Sequence, residues 1–218
     1  CAGRMINSPN DYDVVIKLIP TKNDNFFVCM RLCSIQDNRF AYRKNVLPTS
    51  MHPSQAALIV SLAKPYLKET AQIMDPFCGV GTLLIERAHL VPAREIYATD
   101  TYGDAITMGR ENAALAKTRI NFIHRDFFDF RHDYKFDELI TDMPVRNRQT
   151  KAEMELFYER FFDKASEHLV SGGIIVMYSN EIGFVKKQIR LRVEYRLLQE
   201  TCILDKNDFY LFVIRYED

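Results

Sequence analysis

Two short stretches of this chain carry residue types whose spacing could do chemistry. The first is Asp75-Pro76-Phe77-Cys78-Gly79-Val80-Gly81-Thr82, where an apolar strand runs into two glycines one residue apart and then directly into a helix. Glycine at 79 and 81 lets the backbone come close to a ligand where a Cβ would clash, so the turn suits a nucleotide-like ligand. A pyrophosphate site wants a third glycine three residues after the second, for close packing of helix on strand, and position 84 is Leu. Leu84 therefore argues against a dinucleotide-dependent oxidoreductase. Asp75 is an awkward neighbour for phosphate and a natural one for a cationic or amine-bearing ligand. The second stretch is Asp142-Met143-Pro144-Val145, an acid and a proline at the end of another apolar run.

The elements that must position these residues follow from the periodicity. Residues 13–20 and 26–33 are apolar runs around the polar Thr21-Lys22-Asn23-Asp24-Asn25 and read as a hairpin. Thr49-Ser50-Met51-His52, between Pro48 and Pro53, leads into a helix whose Ala56, Leu58, Ile59, Leu62 and Ala63 recur at helical spacing, with His52 as a hydrogen bonder at its entry. Strands at 72–75, 95–99, 121–123, 136–141 and 174–178 then alternate with helices at 82–90, 104–117, 152–170 and 184–190. That rhythm predicts an α/β fold with a doubly wound, mostly parallel sheet. Runs at 194–204 and 209–216 around Asp205-Lys206-Asn207-Asp208 predict a terminal hairpin. Ligands bind outside the carboxyl ends of such strands, and the four ends there carry Asp75, Asp100, Asp126 and Asp142. One such Asp is ordinarily a turn former or helix cap. Four on one rim point to a ligand.

The 218 residues are enough for one large α/β domain with a small appendage. We expect the boundary between the two at residues 1–48 and 49–218, the first being the end of an upstream domain, because the chain starts at Cys1 rather than Met. No run reaches the length of a membrane span, and no signal peptide is recognisable. Cysteines 1, 29, 33, 78 and 202 form no Cys-x-x-Cys pair, which predicts reduced thiols, a cytoplasmic setting and no metal site. Lys plus Arg equals Asp plus Glu at 29 each, so only local basic clusters could meet a polyanion. Those are Arg39, Arg43 and Lys44; Arg146, Arg148 and Lys151; and Lys186, Lys187, Arg190 and Arg192, the last read as a solvated face.

Together the stretches at 75–82 and 142–145 resemble the motifs of S-adenosylmethionine-dependent methyltransferases, specifically the THUMP-associated RNA guanine-N2 methyltransferases and UPF0020-like RNA methylases. The resemblance covers about residues 39–216. It implies a Rossmann-like class I methyltransferase fold of seven strands, the last inserted antiparallel. It also implies S-adenosylmethionine as cofactor, whose sulfonium and amino group suit Asp75. Phe77, Gly79, Gly81 and Thr82 belong to the cofactor turn, and Ser50 and Met51 match the segment that closes over the methionine moiety. Asp100 would accept from the ribose hydroxyls, with Thr101 and Tyr102 lining the adenosine pocket. Asp126 would accept from the adenine amino group while Phe127 packs on the base.

Asp142, Met143 and Pro144 resemble the Asn/Asp-Pro-Pro-aromatic motif of enzymes that methylate exocyclic amino groups. An aryl amine delocalises its lone pair into the ring, and acceptors on its hydrogens favour the tetrahedral geometry needed for attack. Asp142 and the Met143 carbonyl are those acceptors. Val145 replaces the aromatic residue that would stack on the base, leaving Phe157, Tyr158 or an upstream RNA-binding domain to supply a ring. Arg146 and Arg148 follow where RNA phosphate would lie. The resemblance therefore implies methylation of a guanine N2 in tRNA or rRNA. The alternatives are a DNA-adenine or protein-amide methyltransferase, and a non-catalytic binding subunit, the latter motivated by Val145.

Overall fold

The alternation of short apolar strands with amphipathic helices builds two compact units, residues 1–40 and 41–218. The fold is described from a computed structural model at residues 8, 10–22, 24–32, 38–204 and 208–218. Asn23, residues 205–207, and Cys1 and Cys33 among the cysteines lie outside the described residues. In the first unit, β1 (Val14–Pro20) pairs antiparallel with β2 (Phe26–Leu32), Val14 facing Leu32 and Pro20 facing Phe26.

In the second unit, α1 (Pro53–Ala63) begins at His52, whose ring nitrogen caps the Ser54 amide. Then follow β3 (Gln72–Asp75), α2 (Thr82–Leu90), β4 (Glu95–Asp100), α3 (Gly103–Leu115), β5 (Asn121–His124), β6 (Phe136–Asp142), α4 (Lys151–His168), β7 (Leu169–Ser179), α5 (Ile182–Leu191), β8 (Tyr195–Leu204) and β9 (Phe209–Tyr216). The seven strands lie in the order β5-β4-β3-β6-β7-β9-β8. The first five run parallel, and β9 is inserted antiparallel to both neighbours. The strand order reverses between β3 and β6, the topological switch point at which open α/β sheets hold ligands.

The sequence places Leu169 and Val170 in the preceding helix, but they open β7. Leu169 is buried and pairs with Phe136, after which the register jumps to Glu138 opposite Ile174. The intervening residues bulge through Gly172 at φ +80°, a conformation that suits glycine. Residues 41–48, expected with the N-terminal hairpin, belong to the larger unit. Tyr42 is buried and donates to Glu86 of α2 at 2.5 Å, and the Lys44 and Asn45 amides both donate to Asn112 of α3. Among the described residues no helix is long and apolar enough to cross a membrane.

At the sheet end far from the switch-point rim, Arg87 of α2 is wholly buried against Glu138 of β6. Its Nε and Nη2 meet the two carboxylate oxygens at 2.8 and 2.9 Å, while Nη2 also donates to the Lys68 carbonyl and Nη1 to that of Val91. Every polar atom of the fork is thereby used, the condition for a buried ion pair to be tolerated. Glu138→Ala leaves the guanidinium buried without its acid and should lower unfolding free energy by about 3–5 kcal/mol in urea denaturation. A loss below about 1 kcal/mol would show that the pair does not tie α2 to the sheet.

Candidate active site

A cavity of about 400 Å³ opens at the carboxyl ends of β3, β4 and β6. Asp75, Phe77, Gly79 and Thr82 reach it from the turn after β3; Asp100 and Tyr102 from β4; Asp142, Met143, Pro144, Val145 and Asn147 from β6; and Leu47, Thr49, Ser50 and Met51 from the segment before α1. Gly79 and Gly81 sit at φ +50° and +78°, where L side chains are strained. A Cβ on Gly81 would lie 2.8 Å from the Phe122 ring, so that position is closed by packing as well. A Cβ on Gly79 would meet nothing within 4 Å, which leaves open space where a ligand can approach the backbone.

The turn is held by Asp100. One of its oxygens accepts from the Gly79 amide at 2.8 Å, the other from the Tyr102 amide at 2.8 Å. The Thr99 hydroxyl donates to the Pro76 carbonyl at 2.9 Å, and the Cys78 amide donates back to the Thr99 carbonyl at 3.0 Å. At the other side of the mouth, the Met143 amide donates to the Tyr178 carbonyl at 2.9 Å, fixing the loop that follows Asp142. Thr150 and Glu153 close a capping box at the start of α4, which anchors the far end of that loop. Over the mouth, Arg43 donates to the Ser50 and Met51 carbonyls, and the Ser50 hydroxyl accepts from the Leu47 amide.

Electrostatically the site leaves its acids without a cationic partner among the described residues. Asp75 is 2% exposed and accepts from the Phe77 amide at 3.0 Å. Loss of solvent, reinforced by the Asp142 and Asp100 carboxylates, pushes its carboxyl up to about 8. Burial alone pushes Asp142 up to about 7. The Thr82 hydroxyl is buried on the cavity wall with no hydrogen-bond partner. Two desolvated carboxyl groups, an unsatisfied hydroxyl and an uncovered glycine fit a bulky, cationic, hydrogen-bonding ligand, which S-adenosylmethionine is. Burial and the nearby carboxylates hold the Cys78 thiol well above its ordinary value, so it is inert as a nucleophile.

Of the residues expected at the site, Gly81, Thr101, Asp126, Phe127, Arg146 and Arg148 stand outside the lining. Asp126 caps a short 3-10 helix, Phe127–Asp129, by accepting from the Phe128 amide at 2.9 Å. Phe127, expected to pack on a base, is 1% exposed and fills the core against Phe77 and Phe161, because the 3-10 turn points its ring inward. The Thr101 carbonyl meets the His124 ring at 2.9 Å. Arg146 and Arg148 are exposed, Arg146 lying 3.7 Å from Glu181. Tyr158, one of the rings offered in place of an aromatic at 145, is buried and hydrogen-bonded to Ser179. Leu47, Thr49 and Asn147 join the lining without any local sequence signal, and Gln55 and Tyr178 stand behind it. Gln55 donates to the Tyr178 hydroxyl and so links the entry of α1 to the strand beside Asp142. Among the described residues no cluster of three His, Cys, Asp or Glu side chains could hold a metal ion.

A strand order with β9 inserted antiparallel, a glycine turn after the first parallel strand and an acid at the end of the next define a class I S-adenosylmethionine-dependent methyltransferase fold. TrmN from Thermus thermophilus superposes on 93% of this chain and 60% of its own with a TM-score of 0.72 at 20% identity, and Trm5 from Methanocaldococcus jannaschii on 78% and 51% with a TM-score of 0.60 at 19% identity. The chain belongs to the UPF0020 family, an RMKL-like methyltransferase domain, whose model matches residues 41–201. It is 32% identical over 187 residues to the tRNA (guanine(10)-N2)-dimethyltransferase of Methanothermobacter thermautotrophicus, a match covering 80% of this chain and 54% of that protein. With the release factor glutamine methyltransferase of Lactococcus lactis it shares 25% identity over 155 residues, 62% of this chain and 56% of the relative. The chain thus spans about half the length of these curated relatives.

The buried carboxyls set a pH dependence. A carboxyl raised in the folded state binds its proton more tightly there than in the unfolded chain, so it contributes stability below its folded value that is lost as pH rises through it. His168, held down to about 4 mainly by burial, opposes this only weakly, because its unfolded imidazole is already half neutral at about pH 6.5 and loses the rest of its charge early in the window. Between pH 6.5 and 8 the ligand-free protein should lose on the order of 2 kcal/mol, read as a falling melting temperature. Asp75→Asn should flatten the curve and melt above the wild type at pH 8. A melting temperature that rises across this window would contradict the assignment.

Proposed function

We propose that this chain is the catalytic domain of an S-adenosylmethionine-dependent RNA methyltransferase that acts on the exocyclic N2 of a guanine, with transfer RNA as the leading substrate. The observation that carries the reading is the convergence of Asp75, Asp100 and Asp142 on one cavity beside the Gly79 turn, at the point where the sheet reverses order. The family membership, and the guanine-N2 specificity named for the 32% identical relative, support the same reading.

When bound, S-adenosylmethionine supplies an electrophilic methyl group on a sulfonium that leaves as a neutral thioether. Asp75 would offer its buried carboxylate to the cationic part of the cofactor, where such interactions are strong. Asp100 would accept from the ribose hydroxyls while keeping the glycine turn in shape. Asp142 and the Met143 carbonyl accept the two hydrogens of the target amine and draw its nitrogen toward tetrahedral geometry. Once nitrogen bonds carbon, the amine must shed a proton, and an Asp142 carboxyl poised near neutrality can take it and return it to solvent. Val145, 50% exposed at the mouth, offers the base an apolar contact but no ring. The unbridged thiols of Cys29, Cys78 and Cys202 suit a cytoplasmic setting.

Transfer of tritiated methyl groups to total RNA, DNA and protein tests the substrate class. Label in RNA, recovered as N2-methylated guanosine, is the expected result; label confined to protein or DNA would overturn it, and no transfer at all would favour a binding subunit. Asp142→Ala should lower turnover by about 10²–10³-fold with cofactor affinity nearly intact, as for other deleted transition-state acceptors. Asp100→Ala should weaken cofactor binding itself and also loosen the glycine turn, seen as a lower melting temperature. Equal loss of cofactor binding in both variants would contradict this division of roles.

A further inference from the structure

We propose that Phe128, Phe157 and Arg160 form a stacking surface for an unpaired RNA nucleotide next to the target base, an inference that rests on the RNA reading above. The surface begins at the cavity wall. Phe77 lines the cavity, and its ring lies 5.3 Å from Phe157 at 39° and 6.4 Å from Phe128. Phe128 and Phe157 meet edge to face at 5.5 Å and 87°. Behind them Phe127 and Phe161 are fully buried, whereas Phe77, Phe128 and Phe157 are only partly so. The cluster is therefore a core whose outer edge reaches the surface beside the mouth.

Charge identifies the occupant. Arg160 of α4 is exposed and holds its guanidinium 4.1 Å over the Phe128 ring. Among the described residues it makes no ion pair, whereas Lys164 of α4, Lys187 of α5 and Arg192 just after α5 are matched to Glu167, Glu155 and Asp163. Arg131, bonded through Nη1 to the Phe130 carbonyl at 2.9 Å and to that of Phe128 at 3.5 Å, brings a second guanidinium to the same segment. Ring faces beside guanidinium groups stack bases without regard to identity and attract the phosphates that join them. This surface supplies the ring contact that Val145 lacks, one nucleotide away from the amine that reacts.

The test is steady-state methyl transfer to unmodified transfer RNA transcripts. Phe128→Leu keeps apolar volume but removes the ring face; Arg160→Gln removes the charge but keeps the stem. Each should raise KM for RNA about tenfold, the scale of one lost base stack, with kcat and the S-adenosylmethionine dissociation constant within twofold, and Phe128→Tyr should restore the wild-type KM. If the wild type methylates RNA and both variants keep KM within twofold, the stacking surface is wrong and the functional reading stands. If the variants lose cofactor affinity in step with RNA affinity, the residues serve packing alone and the proposal is overturned. If the wild type labels only protein or DNA, the functional reading fails and this surface with it.

Discussion

Two carboxyl groups at the ends of neighbouring strands, Asp75 buried and Asp142 half-buried, are the constraint around which the rest of this domain is arranged. A carboxylate taken out of water must find a cation, keep its proton, or be held in place at a cost in stability. The chain uses the first solution at one end of the sheet, where Glu138 meets Arg87 in a fully bonded fork. At the other end Asp75 and Asp142 have no cationic partner among the described residues and are shifted toward neutrality by burial. The same sheet thus treats its acids in two ways. The paired acid holds layers together, and the unpaired acids form a site whose missing charge a sulfonium or ammonium group would supply.

Holding acids in that state demands rigidity from their surroundings, and each neighbouring segment is tied to a buried partner. Phe122 fills the space a side chain at 81 would need, so α2 starts tightly against the sheet. Asp100 fastens the glycine turn to β4. Tyr178 carries the Met143 amide on its backbone and the Gln55 amide on its hydroxyl, coupling the loop after Asp142 to the segment that covers the cofactor cavity. That segment is pinned from its other side by Asn112 and by the Tyr42–Glu86 contact. These loops are placed by side chains from β4, β5, β7, α1, α2 and α3, which is what a site needing close alignment requires.

Most of this architecture was legible because its signals are local. Gly79, Gly81 and the strand-end acids announce a ligand-binding turn, and the strand–helix alternation from residue 72 onward determines a parallel sheet with few topologies to choose from. What escaped depends on contacts far apart in the chain. Nothing local distinguishes Asp126 as a helix cap from Asp100 as a cavity acid, since both stand at or just past the end of a strand. Phe127 reads as a ring near the rim until the 3-10 turn aims it inward and leaves Phe128 outside. Asn112, polar in the otherwise apolar stripe of Ala105, Ile106, Gly109 and Ala113, was the one signal that could have assigned residues 41–48 to the larger unit. The extension of β7 back to Leu169 follows from a bulge, which no periodicity records.

Calorimetric titration of the protein with S-adenosylmethionine at pH 6.5, in buffers of different ionisation enthalpy, tests the central claim most directly. If Asp75 awaits a cation, binding must displace its proton: about one proton should be released per cofactor bound, and affinity should rise as pH is raised toward 8. Binding without proton release, at an affinity that does not change over that range, would contradict the account.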